Sequence, residues 1–318
     1  MATSHRPRVL VIAAWFGPLP TWFPLWLTSC HLNGDIDWLL ATDADLSAYD
    51  LPRNVHVASI TMKDLADRVQ EVTGVAVQFE HAYKACDYKP LYWCLLDLAP
   101  GHWDFWGHCD LDMVFGDLNA YLKPELLGAY DRLFGLGHFS LYRNNVKVNN
   151  FYRLPHPSLD YRDVLSDPDS RGFDEHLGVN KIWHLHNGRF YENEDVVADI
   201  DPHTRALRRI STKSFADNSR SQGFAFESGR VFRYFERGGR VESEEFMYVH
   251  FQKRRFDLPP PDGAGTRFWL TPRGFVPMDD RPKTGARLRA LNPAPLVPRP
   301  SEALHRVRHG IRLIRRRC

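Results

Sequence analysis

The chain carries no CxxC pair, no internal repeat, almost no net charge and no apolar run of membrane-spanning length. Each absence removes a class. The five cysteines, Cys30, Cys86, Cys94, Cys109 and Cys318, are odd in number and irregularly spaced. That favours reduced thiols in a cytoplasmic protein over a disulfide framework or a zinc site. A membrane helix needs about 20 consecutive apolar residues, and none occur. The apolar stretch Val9 to Phe16 runs into Gly17, Pro18, Pro20 and Pro24, which break a helix. No export signal is therefore expected, although Leu27-Thr28-Ser29-Cys30 resembles a lipoprotein cleavage box. A formal charge of +2 gives no electrostatic footprint for nucleic acid.

What remains is an ordinary globular composition with many rings. The 318 residues are 43% hydrophobic and 25% charged, with 9 Trp, 12 Tyr and 20 Phe. That length can bury a sizeable core. Aromatic side chains build cores, and they also stack on sugar rings and bases.

Read in order, Arg8 to Phe16 is a buried strand ended by Gly17-Pro18, and residues 20–32 are helical, with the prolines near the start. Ile36 to Ala41 and Val55 to Ile60 are strands. Thr61-Met-Lys-Asp64 is a capping box opening a helix to about Val72. Leu91, Cys94, Leu95 and Leu98 recur at helical spacing behind Pro90. Strand and helix alternate through residue 120, which indicates a doubly wound α/β layer. Further strands are expected at 132–136, 138–143, 230–235 and 241–251, a short helix at 145–154, and a loop at 155–172.

Asp104-Phe-Trp-Gly-His-Cys-Asp-Leu-Asp112 organises the rest. A strand running through it would point Asp110 and Asp112 to one face. Two carboxylates at the carboxyl end of a strand suit a hard divalent cation, at the edge where open α/β sheets bind ligands.

The ordered set of such pieces resembles the GT-A class of glycosyltransferases, and more narrowly a group of bacterial polysaccharide-biosynthesis proteins. The pieces are Trp15-Phe16-Gly17, Thr42-Asp43, Asp87-Tyr88-Lys89-Pro90, residues 104–112, Gly137-His-Phe-Ser-Leu-Tyr-Arg-Asn144, Phe173-Asp-Glu175 and His250-Phe-Gln-Lys253. They cover about residues 8–255. The resemblance implies an α/β fold, a GT-A-like, Rossmann-related mixed sheet flanked by helices, as one main domain over 1–256 with a C-terminal extension over 257–318.

It also implies roles. Mn²⁺ or Mg²⁺ would be held by Asp110 and Asp112 with His250, bridging the diphosphate of a nucleotide-sugar donor. Phe16, Gly17, Thr42 and Asp43 would line the nucleotide pocket. Asp87 would contact the sugar, Lys89 would lie near the donor, and Lys253 or Arg254 would touch the leaving phosphate. Asp174 and Glu175 are the candidates for taking the proton of an acceptor hydroxyl. Each residue has a plain alternative. His250 can be a hydrogen-bonded strand histidine, Asp87 a helix cap, Asp174 and Glu175 a first-turn acidic pair, and the basic run at 253–255 a solvated patch. The acceptor would be a saccharide or a lipid-linked one.

Two other readings compete. Asp110-Leu-Asp-Met-Val114 also resembles the aspartyl-phosphate loop of haloacid-dehalogenase-type phosphatases, but that loop usually follows the first strand and here three strands precede it. The second is a sugar- or nucleotide-binding module without catalysis. Finally, Leu304, Val307, Ile311 and Ile314 form an apolar stripe among arginines. A tail of this kind can lie on an anionic membrane surface, which would place the protein peripherally at the inner face.

Overall fold

The computed structural model describes residues 6–211, 217–254, 256 and 267–293. The basic stripe at 301–318 and the proline-rich stretch at 259–265 lie outside the described residues. Among the described residues no helix is long and apolar enough to cross a membrane.

In chain order the strands are β1 (Val9–Trp15), β2 (Asp37–Thr42), β3 (Val55–Ser59), β4 (Phe105–Cys109), β5 (Met113–Phe115), β6 (Arg132–Leu136), β7 (Phe139–Arg143) and β8 (Phe190–Tyr191). They continue with β9 (Val197–Asp199), β10 (Gln222–Glu227), β11 (Arg230–Arg237), β12 (Arg240–Phe246), β13 (Tyr248–His250), β14 (Arg267–Thr271) and β15 (Gly274–Pro277). The chain divides into two compact units, each assembled from separate segments. The first holds residues 1–20, 34–111 and 122–193; the second holds 21–33, 112–121 and 194–318.

The first unit is built on one mixed seven-stranded sheet, in the order β3-β2-β1-β4-β7-β6-β8. β1 pairs in parallel with both β2 and β4, while β7 joins β4 and β6 in antiparallel fashion. Central parallel strands are covered on both faces and so read as continuous apolar runs; β1, Val-Leu-Val-Ile-Ala-Ala-Trp, is such a run. The helix Met62–Thr73 begins at the expected capping box: Thr61 accepts from the Asp64 amide, and Asp64 bonds back to the Thr61 amide. Gly74 closes it at φ 71°, a left-handed position that glycine occupies without a Cβ penalty. Leu65 and Val69 of this helix join Leu10, Ile12 and Leu39 of the sheet in one core. The mixed α/β architecture expected from the sequence is therefore present.

The second unit carries an antiparallel five-stranded sheet, β12-β11-β10-β14-β15, and a three-stranded sheet, β5-β13-β9. Its core gathers Phe224, Phe226, Val231, Phe246, Phe268 and Phe275.

Several sequence expectations need correction. The break after residue 256 does not divide the fold: β14 lies inside the five-stranded sheet, bonded to β10 on one side and β15 on the other. β4 stops at Cys109, so Asp110 and Asp112 are not two positions of one strand. Residues 89–98 wind as a 3₁₀ helix after a single α-turn at Ala85–Tyr88. The expected loop at 155–172 contains a helix, Tyr161–Ser166, capped by the Asp160 side chain. The segment 173–178 is a turn, and the next helix starts at Val179.

Candidate functional site

Two clusters of charged side chains gather the expected acids of the Asp-Leu-Asp motif with Lys89, Asp174 and His250. The first lies wholly in the first unit. Lys89 opens the 3₁₀ helix and turns its ammonium inward, where the residue is almost fully buried. Its Nζ reaches Asp110 Oδ1 at 2.6 Å and Asp174 Oδ2 at 3.1 Å, and donates to the Gly137 carbonyl at 2.8 Å. These three oxygens account for the three donors of an ammonium. Asp110 follows the end of β4, and its amide is fixed by the His138 carbonyl at 3.1 Å.

The electrostatics follow from burial. Desolvation alone would pull the Lys89 ammonium down, but Asp110, Cys86 and Asp174 outweigh it and hold the group well above its ordinary value. Burial dominates for Asp174: it drives the carboxyl up to about 7, with Lys89 pulling down and Glu175 and Asp110 pushing up. A carboxyl near neutrality can accept or return a proton at physiological pH. Glu175 beside it is exposed. Gly137 packs closely here: a Cβ on it would lie 3.0 Å from Asp174 Oδ2 and 3.1 Å from Glu175 Cγ, so these side chains would have to give by a few tenths of an ångström.

Asp87 corrects an expectation. It was expected to contact the donor sugar or to cap a helix, and it does neither. It is completely buried, and its carboxylate bonds to Lys84 and to the amides of Arg171 and Phe173. It has no surface to offer a ligand.

The other expected residues of this unit sit at the carboxyl ends of β1 and β2. Asp43 Oδ1 accepts from the Gly17 amide at 2.7 Å, which ties the two loops together. Gly17 has φ 97°, so this turn needs glycine for its backbone and not for space. Thr42 is buried, and its hydroxyl accepts from the Ala44 amide. Phe16 packs against the core from its edge. Gly17, Pro18, Asp43, Asp45 and Tyr49 line an open groove of about 370 Å³. Parallel sheets place ligands in crevices of this kind.

The second cluster lies wholly in the second unit. β13 runs between β5 and β9, and its register sets His250 beside Asp199. His250 Nδ1 meets Asp199 Oδ1 at 2.8 Å, and Nε2 faces Asp112 Oδ1 at 3.3 Å. Gln252 Nε2 donates to the same Asp199 oxygen at 3.0 Å. Burial would lower the imidazole, yet the carboxylates of Asp112 and Asp199 reverse this and push it up to about 10. Surroundings that hold a proton on this ring favour positive charge generally. A carboxylate on one ring nitrogen, with the other facing a second carboxylate, is the arrangement that orients metal-binding histidines. The donor set therefore fits a divalent cation. Asp199 and Gln252 were missed from sequence; the one available signal was an aspartate inside the apolar run 196–200.

Lys253 is exposed and adopts φ 53°, an unusual conformation for a side-chain-bearing residue. Arg254 instead staples a loop, donating to the carbonyls of Asp201 at 2.6 Å and Thr204 at 2.8 Å. The Asp-Leu-Asp motif itself straddles the two units: Asp110 belongs to the first and Asp112 to the second.

A sequence family described as a family of unknown function (DUF6625) matches residues 11–279. No curated protein matches. Among solved structures, mouse xyloside xylosyltransferase 1 in its apo form is 10% identical, with 61% of this chain and 88% of that chain covered and a TM-score of 0.37. The galactosyltransferase LgtC, in complex with donor and acceptor sugar analogs, is 11% identical over 60% of this chain and 75% of that one, at 0.35. The glycosyltransferase GlyE of Streptococcus pneumoniae TIGR4 is 14% identical over 60% and 46%, at 0.27. Likenesses this distant carry no weight for the activity, which has to be argued from the residues.

Proposed function

The chain belongs to the DUF6625 family, and from its own residues we propose that it is a metal-dependent glycosyltransferase acting on a nucleotide-diphosphate sugar and a saccharide or lipid-linked acceptor. The observation that carries the reading is the buried Lys89 cluster, in which one ammonium joins Asp110, at the end of β4, to Asp174, whose carboxyl is held near neutrality.

Asp174, with Glu175 beside it, is the group proposed to take the acceptor proton. As the acceptor oxygen bonds to the anomeric carbon, the bond from that carbon to the diphosphate breaks. The acceptor proton passes to the carboxylate, and the electron pair leaves with the nucleotide. Lys89 keeps Asp174 oriented and offsets part of its charge. Asp112 and His250 of the second unit are the proposed holders of Mn²⁺ or Mg²⁺, with Asp199 orienting the imidazole. Such a cation supplies Lewis-acid neutralisation of a diphosphate leaving group. The groove at Gly17 and Asp43 is proposed to take the nucleoside.

A binding module without catalysis would use the same groove, so the deciding experiment separates binding from turnover. A thermal-shift panel of nucleoside diphosphates with and without Mn²⁺ comes first. A ligand at about 100 times its Kd adds roughly 2.7 kcal/mol to native stability. The expected result is a Mn²⁺-dependent shift with one base, lost in Asp112→Ala. Sugar release from the matching nucleotide sugar should then vanish in Asp174→Ala while that shift persists. Binding in the wild type without any turnover of nucleotide sugars would leave the module as the answer.

A further inference from the structure

Buried lysine–aspartate pairs are expensive. Taking both charges out of water carries a large desolvation penalty, and a well-packed apolar pair is often as stable. Lys84 and Asp87 are such a pair, at 1% and 0% exposure and 2.8 Å apart. No ligand can reach them, so their purpose lies in what they hold.

Every strong bond they make outside the pair goes to one stretch of chain. Lys84 Nζ donates to the carbonyls of Val164 and Asp169, each at 2.7 Å. With Asp87 these fill its three donor positions. Asp87 Oδ2 accepts from the Arg171 amide and Oδ1 from the Phe173 amide, each at 2.8 Å. The residue after Phe173 is Asp174. Phe173 is fully buried, and its carbonyl accepts from the Val179 amide at 2.7 Å. Gly178 leaves no room for a Cβ against that carbonyl. The turn bearing Asp174 and Glu175 is thus clamped at both ends.

The same short helical stretch carries all three gripping residues. Lys84 and Asp87 fix the segment leading into the turn, and Lys89, two residues further on, takes the Asp174 carboxylate itself. We propose that the Lys84–Asp87 pair is a positioning device: it sets the height of the Asp174–Glu175 turn, so that Asp174 meets Lys89 in a single geometry. This rests on the catalytic reading of Asp174. It assigns Asp87 a role in that reaction without contact with donor or acceptor.

The test uses the full chain carrying Asp87→Asn, which preserves size and removes the charge. Hydrogen exchange is read by mass spectrometry on peptides spanning 171–175, without substrate. Losing hydrogen bonds to a charged acceptor should speed exchange there by about tenfold or more, with peptides of β1 and β4 unchanged. Turnover is then measured with the nucleotide sugar that the binding panel selects. Misplacing a reacting group by about 1 Å can cost roughly 100-fold, so kcat should fall by about that factor while the donor KM stays within about twofold. Val69→Ala, a core truncation in the Met62–Thr73 helix, serves as the control for general loss of stability and should leave kcat unchanged.

Unchanged exchange at 171–175 would overturn the proposal whatever the activity. Faster exchange with full kcat would also overturn it, since the turn would then be free to move without consequence. A wild type that turns over no nucleotide sugar would sink the catalytic reading instead; the exchange result would still decide whether the pair holds the turn.

Discussion

Both charged clusters place two aspartates around one cation, and they differ in what that cation can do. Around Lys89 stand Asp110 and Asp174; around His250 stand Asp112 and Asp199. The lysine ammonium is held far above its ordinary value and has no lone pair to offer a ligand while protonated. The imidazole can surrender its Nε2 proton and become a metal ligand, with Asp199 still orienting the opposite nitrogen. One site is a permanent counter-charge built into the fold, and the other is exchangeable. Acidic pairs alone do not distinguish the two clusters; the identity of the resident cation does.

The largest effect should come from removing the permanent charge. Lys89→Met leaves Asp110 and Asp174 without their common partner. Breaking a buried pair in this way costs about 3–5 kcal/mol. The expected outcome is a lower urea midpoint with an unchanged slope, and transfer activity below detection. A variant as stable as the wild type at pH 8 would mean that the two carboxylates do not need the ammonium, and the contrast between the clusters would fail.

The exchangeable site should be softer. Asp199→Asn keeps a hydrogen-bonding group beside His250 Nδ1 but removes the charge. Changes to such supporting partners typically weaken metal binding by about 10–100-fold. Mn²⁺ titration followed by electron paramagnetic resonance reads this without any turnover. Unaltered Mn²⁺ affinity would show that the histidine serves the sheet alone.

How much of this was legible depends on how far each cause lies along the chain. The capping box at Thr61 and the apolar run of β1 were readable because their causes sit within a few residues. Asp110 and Asp112 were readable as acids but not as members of different units, because the strand stops at Cys109 and nothing local announces the crossing. Asp87 looked like a ligand-binding residue because its true partners are amides 84 and 86 positions away. Asp199 was invisible because only sheet register sets it beside His250, 51 positions on. β14 was missed because a proline-rich stretch before it suggested that the fold had ended, whereas the five-stranded sheet needs that strand beside β10.

The smallest effect concerns pH and has a definite sign. Asp174 is driven up to about 7 by burial, from an ordinary 3.8. Its folded value lies above its unfolded value, so the unfolded chain gives up this proton first. Between roughly pH 4 and 7 the native state holds more protons than the unfolded one, and this group makes stability fall as pH rises. An asparagine has no such proton to lose. Asp174→Asn should therefore match the wild type near pH 4, gain on it steadily to about pH 7, and keep a constant lead above that. The lead should be at least about 1 kcal/mol. Urea midpoints at pH 4, 5.5, 7 and 8.5 would show it. A rising lead, together with lost transfer, would mean that the protein keeps a destabilising carboxyl for its chemistry. Parallel curves for the two proteins would mean that Asp174 ionises as freely as a surface aspartate, and the distinction drawn between a buried working carboxyl and a metal-holding one would lose its first half.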